Sequence, residues 1–284
     1  MPKVIIDYDQ CRRVATRIKS LGGVPPDRED PMPFSFPPEV AENAWCATVA
    51  INHQTTPVVG PALRGYIEGK LLRGWDYLLQ KAIWQANRFP AAFTVQWLIE
   101  MRPEKLSEFY RDEIEGDTLN RIEGRSELLN DLGAFLQGNN WESIRGLYIR
   151  SEGYIERADG LGIGESMTGI RAYADPVKKK LFYFLAIMRN QGFWEYRDPE
   201  NFSAPVNYHE QRGHLRIGTI KIVDEYLSTK IRNRENITSD EDIEMRFAAR
   251  SAIECIAQEL EVAPAAAHYF FWNFFRNCCA RENT

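Results

Sequence analysis

The chain has 284 residues, of which 44% are hydrophobic, 12% aromatic and 26% charged. This composition is ordinary for a globular protein with a sizeable core, in one large domain or two packed ones. The formal net charge is −5, without the basic excess usual in proteins that hold duplex nucleic acid through many phosphates. Composition therefore favours a small-molecule ligand over long DNA or RNA.

The five cysteines indicate neither a disulfide framework nor a cysteine zinc site, because their number is odd, two are adjacent and no CxxC motif occurs. The sequence shows no secretory signal and no apolar run of about 18 residues. These patterns predict a cytoplasmic protein without a membrane partner, and no motif implies a cofactor.

The first part of the chain predicts a helix and then a proline-rich segment. Apolar residues recur at helical spacing over residues 4–21, and a Gly-Gly pair ends the pattern. Residues 24–38 hold too many prolines for a helix and predict an extended arm. We therefore expect an N-terminal helix and arm over residues 1–36, followed by a helical domain over residues 37–284, as one body or two packed lobes.

A buried helix is predicted over residues 39–52, and it ends in the polar run Asn52 to Thr56. That run is either one wall of a pocket or a solvated helix end. Both interpretations fit a polar stretch that follows a buried apolar helix.

Helical periodicity continues through the rest of the chain, and no segment reads as a strand. Asp175, Asn207 and either Ser239 or Asp240 are side chains of the kind that cap helices. The predicted fold is all-α, with about ten to twelve helices joined by short loops. The other helices are expected at residues 63–84, 91–101, 103–110, 125–137, 140–150, 165–173 and 177–188, then from Asn207 through Val223, from residue 239 or 240, and in an aromatic C-terminal segment.

Several site motifs fail on spacing or context. His209 and His214 invite comparison with a zinc-binding HExxH helix, but five residues turn the two imidazoles about 140° apart. The glycines of residues 160–169 lack the preceding strand and the GK[ST] ending of a phosphate loop. No nucleophile elbow occurs. The aromatic residues from 269 to 275 are either core or a wall on which a planar base stacks.

The stretch from Lys178 to Gly218 carries the most specific pattern. Three lysines head the apolar run LFYFLAI, and after a polar loop the chain reads Pro205-Val206-Asn207-Tyr208-His209. This resembles the helix-hairpin-helix glycosylase superfamily, where archaeal 8-oxoguanine DNA glycosylases follow a lysine-headed helix with P-V-D-Y-R. It is also similar to the queuosine-salvage N-glycosylase family, whose D…DYR…LR..G pattern has its counterparts here in Asp198, Asn207-Tyr208, Leu215 and Gly218, with asparagine in place of the second aspartate.

Other segments extend the resemblance over roughly residues 37–275. Residues 242–246 resemble the E-x-E-I-R helix start of the salvage family, and residues 267–272 stand where both branches carry an LD-aromatic-x-LW helix. In the N-terminal half, residues 44–55, 73–82 and 123–136 resemble helices of the salvage family better than those of the DNA glycosylases. The resemblance implies a helix-hairpin-helix, DNA-glycosylase-like helical bundle.

The resemblance also implies release of a queuine-like base from a nucleoside or a nucleotide 5′-phosphate. Positive charge develops on the sugar in that reaction, so a nearby carboxylate stabilises the transition state. The family places aspartates where this chain has Asn207 and His268, so the carboxylate is expected from Asp242 or Glu244. The remaining expectations are a catalytic Lys179, a phosphate held by Lys178 to Lys180, a base edge read by Asn207, and pocket contacts from Tyr208, His53, Asn52 and His268.

Two other functions stay open. A protein of the same fold could bind a modified nucleoside without cleaving it, since Asn207 and His268 supply no fixed negative charge. A DNA base-excision glycosylase or lyase would use a lysine such as Lys179 to form a Schiff base, which requires burial to lower its pKa. The three lysines are equally compatible with a solvated basic edge.

Overall fold

The computed structural model describes residues 2–25, 37–55 and 61–278. The predicted proline-rich arm lies mostly outside the described residues, and so does Thr56. Within the described part, the chain forms thirteen α-helices and four short strands, so the predicted helical class is confirmed. The prediction that the chain contains no strands is wrong. None of the helices in the described ranges has the length and apolar character needed to cross a membrane.

The described residues divide into two compact units. The terminal unit is drawn from Met1–Asp30, Asp175–Tyr183 and Glu200–Thr284, and the central unit from Pro31–Ala174 and Phe184–Pro199. The N-terminal helix thus belongs to the same unit as the C-terminal helices. The helix headed by the lysines starts in the terminal unit and continues into the central one.

The terminal unit holds five helices that lie wholly within it, the start of a sixth, and two strands. These elements are β1 (Val4–Ile6), α1 (Tyr8–Ser20), the first residues of α9 (Lys179–Asn190), α10 (Tyr208–Arg216), β4 (Ile220–Ile222), α11 (Glu225–Arg232), α12 (Ser239–Leu260) and α13 (Pro264–Cys278). Asn207 caps α10 as predicted. The cap of α12 is Thr238, so the predicted cap at Ser239 or Asp240 is wrong by one or two residues.

Strands β1 and β4 pair antiparallel, with Val4 opposite Ile222 and Ile6 opposite Ile220. Both segments were expected to be helical, because their apolar residues also fit helical spacing. The run Val-Ile-Ile is β-branched throughout and favours the extended conformation once a partner strand is present. That partner lies more than 200 residues away, beyond the reach of a local pattern.

The core of the terminal unit lies between α1, α10, α12 and α13. Gly213 of α10 marks the closest approach, because a Cβ atom built there would lie 2.1 Å from the ring of Phe275. Phe271 and Phe275 are buried in this core, whereas Phe274 is 48% exposed. The aromatic C-terminal segment is therefore core on one face only.

The central unit holds the remaining helices and a hairpin. These elements are α2 (Pro38–Ile51), β2 (Arg64–Ile67), β3 (Lys70–Arg73), α3 (Gly74–Arg88), α4 (Val95–Ile99), α5 (Pro103–Tyr110), α6 (Ile122–Gly138), α7 (Arg145–Arg150), α8 (Ile163–Met167) and the rest of α9. Single 3-10 turns lie at Arg171–Tyr173 and Pro199–Asn201, and in the second only Pro199 belongs to the central unit.

The prediction of a single helix over residues 63–84 is wrong in its first half, which forms the hairpin of β2 and β3. The helix α3 begins only at Gly74. The two-residue loop of the hairpin is Glu68-Gly69, and both residues have positive φ angles, 49° and 78°. Two consecutive positive φ angles define the turn whose twist suits a tight antiparallel hairpin. The hydrophobic periodicity of the sequence did not predict this turn.

Candidate functional site

The N-terminus of α10 is held by a reciprocal pair of hydrogen bonds. The Asn207 side-chain oxygen accepts from the backbone N–H of His209 at 2.7 Å, and Glu210 Oε2 accepts from the backbone N–H of Asn207 at 2.9 Å. This is a capping box, which satisfies donors that the first helical turn leaves without partners. The Asn207 oxygen is thereby engaged, and its amide NH₂ is the group left to contact a ligand.

Glu210 brings a buried carboxylate next to His268. Its Oε1 lies 3.1 Å from His268 Nδ1, and the two residues are 0% and 3% exposed. Burial raises the pKa of Glu210, but His268 and the Asn207 N–H outweigh that effect and bring the pKa below its ordinary value. A fixed negative charge therefore lies against both Asn207 and His268.

Arg246 organises a second group of charges. Its Nη1 donates to both oxygens of Asp175, at 2.9 and 2.7 Å, and its Nε donates to Asp242 Oδ2 at 2.8 Å. Gln211 Nε2 donates to Asp242 Oδ1 at 2.9 Å, which ties α10 to α12. Burial raises the pKa of Asp175, but the hydrogen bond and charge of Arg246 lower it below its ordinary value. Arg246 thus fixes two carboxylates on one side of α12.

Lys179 lies within the electrostatic reach of both groups. Its backbone N–H donates to Asp175 Oδ2 at 3.1 Å, and this bond holds the start of α9. Burial lowers the pKa of the Lys179 amine, while the charge of Glu210, and then those of Asp175 and Asp242, oppose the shift. Lys178 and Lys180 on either side are half-buried. Among the predicted residues, Lys179, Asp242, Asn207 and His268 are therefore brought together within one unit.

The Glu244 side chain contacts the start of β1. Its Oε1 accepts the backbone N–H groups of Lys3, at 2.5 Å, and of Val4, at 3.1 Å, at the start of β1. Two residues along a helix correspond to a rotation of about 200°, so Asp242 and Glu244 point to different sides of α12. The structure does not bring the two predicted carboxylates together.

Tyr208, the first residue of α10, is 47% exposed. Its ring lies 4.1 Å from that of His209, and the Arg212 guanidinium lies 5.2 Å from its centroid. Burial lowers the pKa of His209 to about 4, so this imidazole is neutral near pH 7. An exposed aromatic ring next to the capped helix end suits stacking against a planar ligand.

Asn52 and His53 belong to the central unit, at the end of α2. Asn52 is the C-cap, and its N–H donates to the carbonyl of Val49. The buried guanidinium of Arg125 donates to the carbonyls of Ile51, His53 and Asn120, and burial lowers its pKa to about 10. Sequence reasoning missed this arginine, which holds the polar run after α2 in place.

Across the residues that the structure describes, no group of three or more His, Cys, Asp or Glu side chains could hold a metal ion. His214 Nδ1 lies 2.7 Å from Thr219 Oγ1, and His209 Nδ1 lies 3.1 Å from Arg212 Nη2. The two histidines of the HExxH-like segment therefore have separate local partners.

Comparison of the sequence with protein-family models and with curated proteins finds no match in either case. The glycosylase resemblance therefore depends on the short motifs and on the residues that carry them. Two of the groups in the terminal unit were not predicted as site residues, namely Glu210 and the Asp175–Arg246 pair. The N-x-x-E spacing of Asn207 and Glu210 was the available signal for the first.

Proposed function

We propose that the chain is an N-glycosylase that releases a modified, queuine-like base from a nucleoside or a nucleotide 5′-phosphate. The observation that carries this proposal is the grouping of Asp175, Asp242 and Glu210 around Lys179 within the terminal unit. These residues lie on the segments that resemble the glycosylase motifs. The proposed setting is the cytoplasm, with a free nucleoside or nucleotide as the partner.

The reaction breaks the bond between C1′ of the sugar and a nitrogen of the base. The bonding pair leaves with the base, which takes up a proton, and water adds to C1′ and loses a proton. A carboxylate stabilises the oxocarbenium-like sugar and accepts that proton. We assign this role to Asp242, because 40% of its side chain is exposed while Arg246 and Gln211 fix its orientation.

Glu210 acts on the site through its charge. It is fully buried, and Asn207 and His268 contact its two oxygens, so it is a positioning residue that does not reach substrate. Among the nearby charges, that of Glu210 has the largest effect in raising the pKa of Lys179, so it favours the protonated form. The protonated Lys179, with Lys178 and Lys180, supplies positive charge for a 5′-phosphate, while Tyr208 stacks against the base. The proposed chemistry does not require Asn52 or His53.

The decisive experiment is incubation of the purified protein with queuosine 5′-phosphate and detection of free base by mass spectrometry. Asp242→Asn keeps the shape of the side chain but loses its charge, and it should slow release by about 10²-fold or more. Glu244→Gln is the matched control on the same helix and should leave the rate unchanged. Release by wild type together with full activity of Asp242→Asn would remove the assignment of Asp242.

Binding without cleavage is the main competing function. It is motivated by Asn207 and His268, which occupy the positions of the family's aspartates. A thermal shift with queuosine 5′-phosphate and no released base would support a binding protein. In that case the paired change Asn207→Asp and His268→Asp tests whether restored carboxylates create turnover.

The lowered pKa of Lys179 favours one further alternative, a DNA glycosylase that forms a Schiff base. Borohydride trapping on duplex DNA that contains 8-oxoguanine separates it from nucleotide hydrolysis. The N-glycosylase proposal predicts no trapped adduct. An adduct that disappears in Lys179→Ala would replace that proposal.

A further inference from the structure

The central unit contains a cavity of about 710 Å³ that is separate from the residues proposed for N-glycosylase activity. It is formed by the second half of α3, the turn that follows it, Trp97 of α4, α5 and residues 111–113. This volume is within the usual range for pockets that bind small molecules. The side chains that line it define what kind of molecule fits.

Two buried polar side chains, Lys81 and Gln85, lie one turn apart on α3 and line the cavity. Gln85 is 7% exposed, and its Nε2 donates to the carbonyl of Phe109 at 2.6 Å. Its Oε1 is buried without a hydrogen-bond partner among the described residues. A buried acceptor in this state costs free energy until a donor reaches it.

Lys81 is 6% exposed and has no carboxylate within ion-pair distance in the described part of the chain. Its Nζ lies 4.6 Å from the centroid of the Trp84 ring. Burial lowers the pKa of Lys81, the charges of Asp112 and Glu113 raise it, and that of Arg88 lowers it. The Lys81 amine is thus a buried donor that forms no ion pair with the charged residues around it.

The carboxylates that line the cavity do not compete for Lys81. Asp112 is 4% exposed, and its oxygens accept the backbone N–H groups of Tyr66, Ile114 and Glu115 at 2.8 to 3.0 Å. Glu108 and Glu113 are exposed at the rim. Arg88 and Lys105 add positive charge, with their cationic groups 3.1 and 5.6 Å from the ring centroids of Trp84 and Trp97. The interior therefore favours an anion.

The apolar part of the lining is aromatic. Trp97 and Phe109 pack with their centroids 5.0 Å apart and are almost fully buried, whereas Phe89 is 55% exposed. Aromatic side chains bind flat rings by stacking and edge-to-face contact. A planar ligand body is the shape that these walls accommodate.

We propose that this cavity binds a small aromatic carboxylate that carries an N–H or O–H donor next to the acid group. The carboxylate pairs with Lys81, the donor satisfies Gln85 Oε1, and the ring lies against Trp97 and Phe109. A phosphate group fits less well, because it would place acceptor oxygens against the oxygen of Gln85. The site is independent of the proposed N-glycosylase activity.

Indole-2-carboxylate is the probe, because its ring N–H is adjacent to its acid. Isothermal titration calorimetry should show saturable binding to the wild-type protein. The N-methyl derivative, which lacks the donor, should bind about tenfold more weakly. Indole-3-carboxylate, whose acid and N–H are apart, and indole, which has no acid, should also be weaker by about that factor or more.

Variants assign the two interactions separately. Lys81→Met should abolish the preference for indole-2-carboxylate over indole, and Lys81→Arg should retain it. Gln85→Met should abolish the discrimination against the N-methyl derivative. Lys70→Met, an exposed lysine of the same unit outside the cavity, is the matched control and should change nothing. Asp242→Asn should also bind normally, which separates this site from the proposed reaction.

Three results would overturn the proposal. The first is the absence of saturable binding of indole-2-carboxylate to folded wild-type protein. The second is equal binding of the four probes by wild type, a result that needs no variant. The third is unchanged preference in Lys81→Met and Gln85→Met variants whose thermal unfolding shows that they fold.

Discussion

Replacement of Glu210 by glutamine is the sharpest test of the buried charge beside Asn207 and His268. Glutamine keeps an oxygen that can accept the Asn207 N–H, so the capping box survives while the charge is lost. Glu210 is buried and hydrogen-bonded to its partners, and leaving such buried polar partners poorly satisfied typically costs about 1–3 kcal/mol, more when a charged group is involved. We therefore expect the free energy of unfolding to fall by about 3 kcal/mol for Glu210→Gln. Glu210→Ala should cost about 1 kcal/mol more, because it also removes the cap.

Urea denaturation at pH 7, followed by circular dichroism, measures this difference. The pKa of Glu210 is lowered in the folded protein, so its contribution is complete above the unfolded pKa and is lost as pH falls through the folded pKa. The gap between wild type and Glu210→Gln should therefore narrow as the pH falls below the ordinary glutamate pKa of about 4.3. The exposed Glu259→Gln is the control, with an expected change within about 0.5 kcal/mol. A Glu210→Gln variant as stable as wild type at pH 7 would refute the stabilising charge.

Further predictions concern core packing, buried hydrogen bonds and the reactivity of Lys179. Gly213→Ala should lower the free energy of unfolding by about 1–3 kcal/mol, because its Cβ would meet Phe275. Gly124→Ala in α6 is the control, since nothing lies within 4 Å of its Cβ, and it should be neutral or stabilising. Thermal unfolding measures both changes. Arg125→Met should cost about 3 kcal/mol in urea denaturation, because it removes the hydrogen bonds that the buried guanidinium donates to the carbonyls of Ile51, His53 and Asn120. Glu210→Gln should also lower the Lys179 pKa further, so acylation of that amine at pH 8, followed by peptide mass spectrometry, should be faster than in wild type. An unchanged acylation rate would mean that the Glu210 charge does not act on Lys179.

Local signals predicted the parts of the structure that are determined locally. The cap at Asn207 was predictable because an asparagine before a helical run satisfies backbone donors within three residues. The β1 and β4 pairing was not, because each strand is three residues long and its partner is supplied by the opposite end of the chain. The hairpin of β2 and β3 did have a local signal, the Glu68-Gly69 turn, but its flanking residues also fit helical spacing.

The candidate site divides in the same way. The lysine-headed helix and Asp242 were predicted from spacing and resemblance, whereas the side-chain contacts around them connect residues far apart in sequence. Arg246 reaches Asp175 across 71 positions, and Glu210 meets His268 across a similar interval of sequence. Periodicity shows which face of a helix is buried but not which charged residue lies opposite. The opposite faces of Asp242 and Glu244 on α12 follow from helix geometry alone and could have been used to separate them.

Asn207 carries no charge, but a carboxylate lies directly beside it. Asn207 is the N-cap of α10, and Glu210 is the third helical residue, whose side chain returns to the Asn207 N–H. The carboxylate is therefore kept at the same helix end, where the helix dipole also favours negative charge. It is buried against His268 and does not open directly toward a ligand. If the chain is a glycosylase, its substrate-facing carboxylate must come from another helix, and Asp242 on α12 is the partly exposed acid that Gln211 of α10 holds in position.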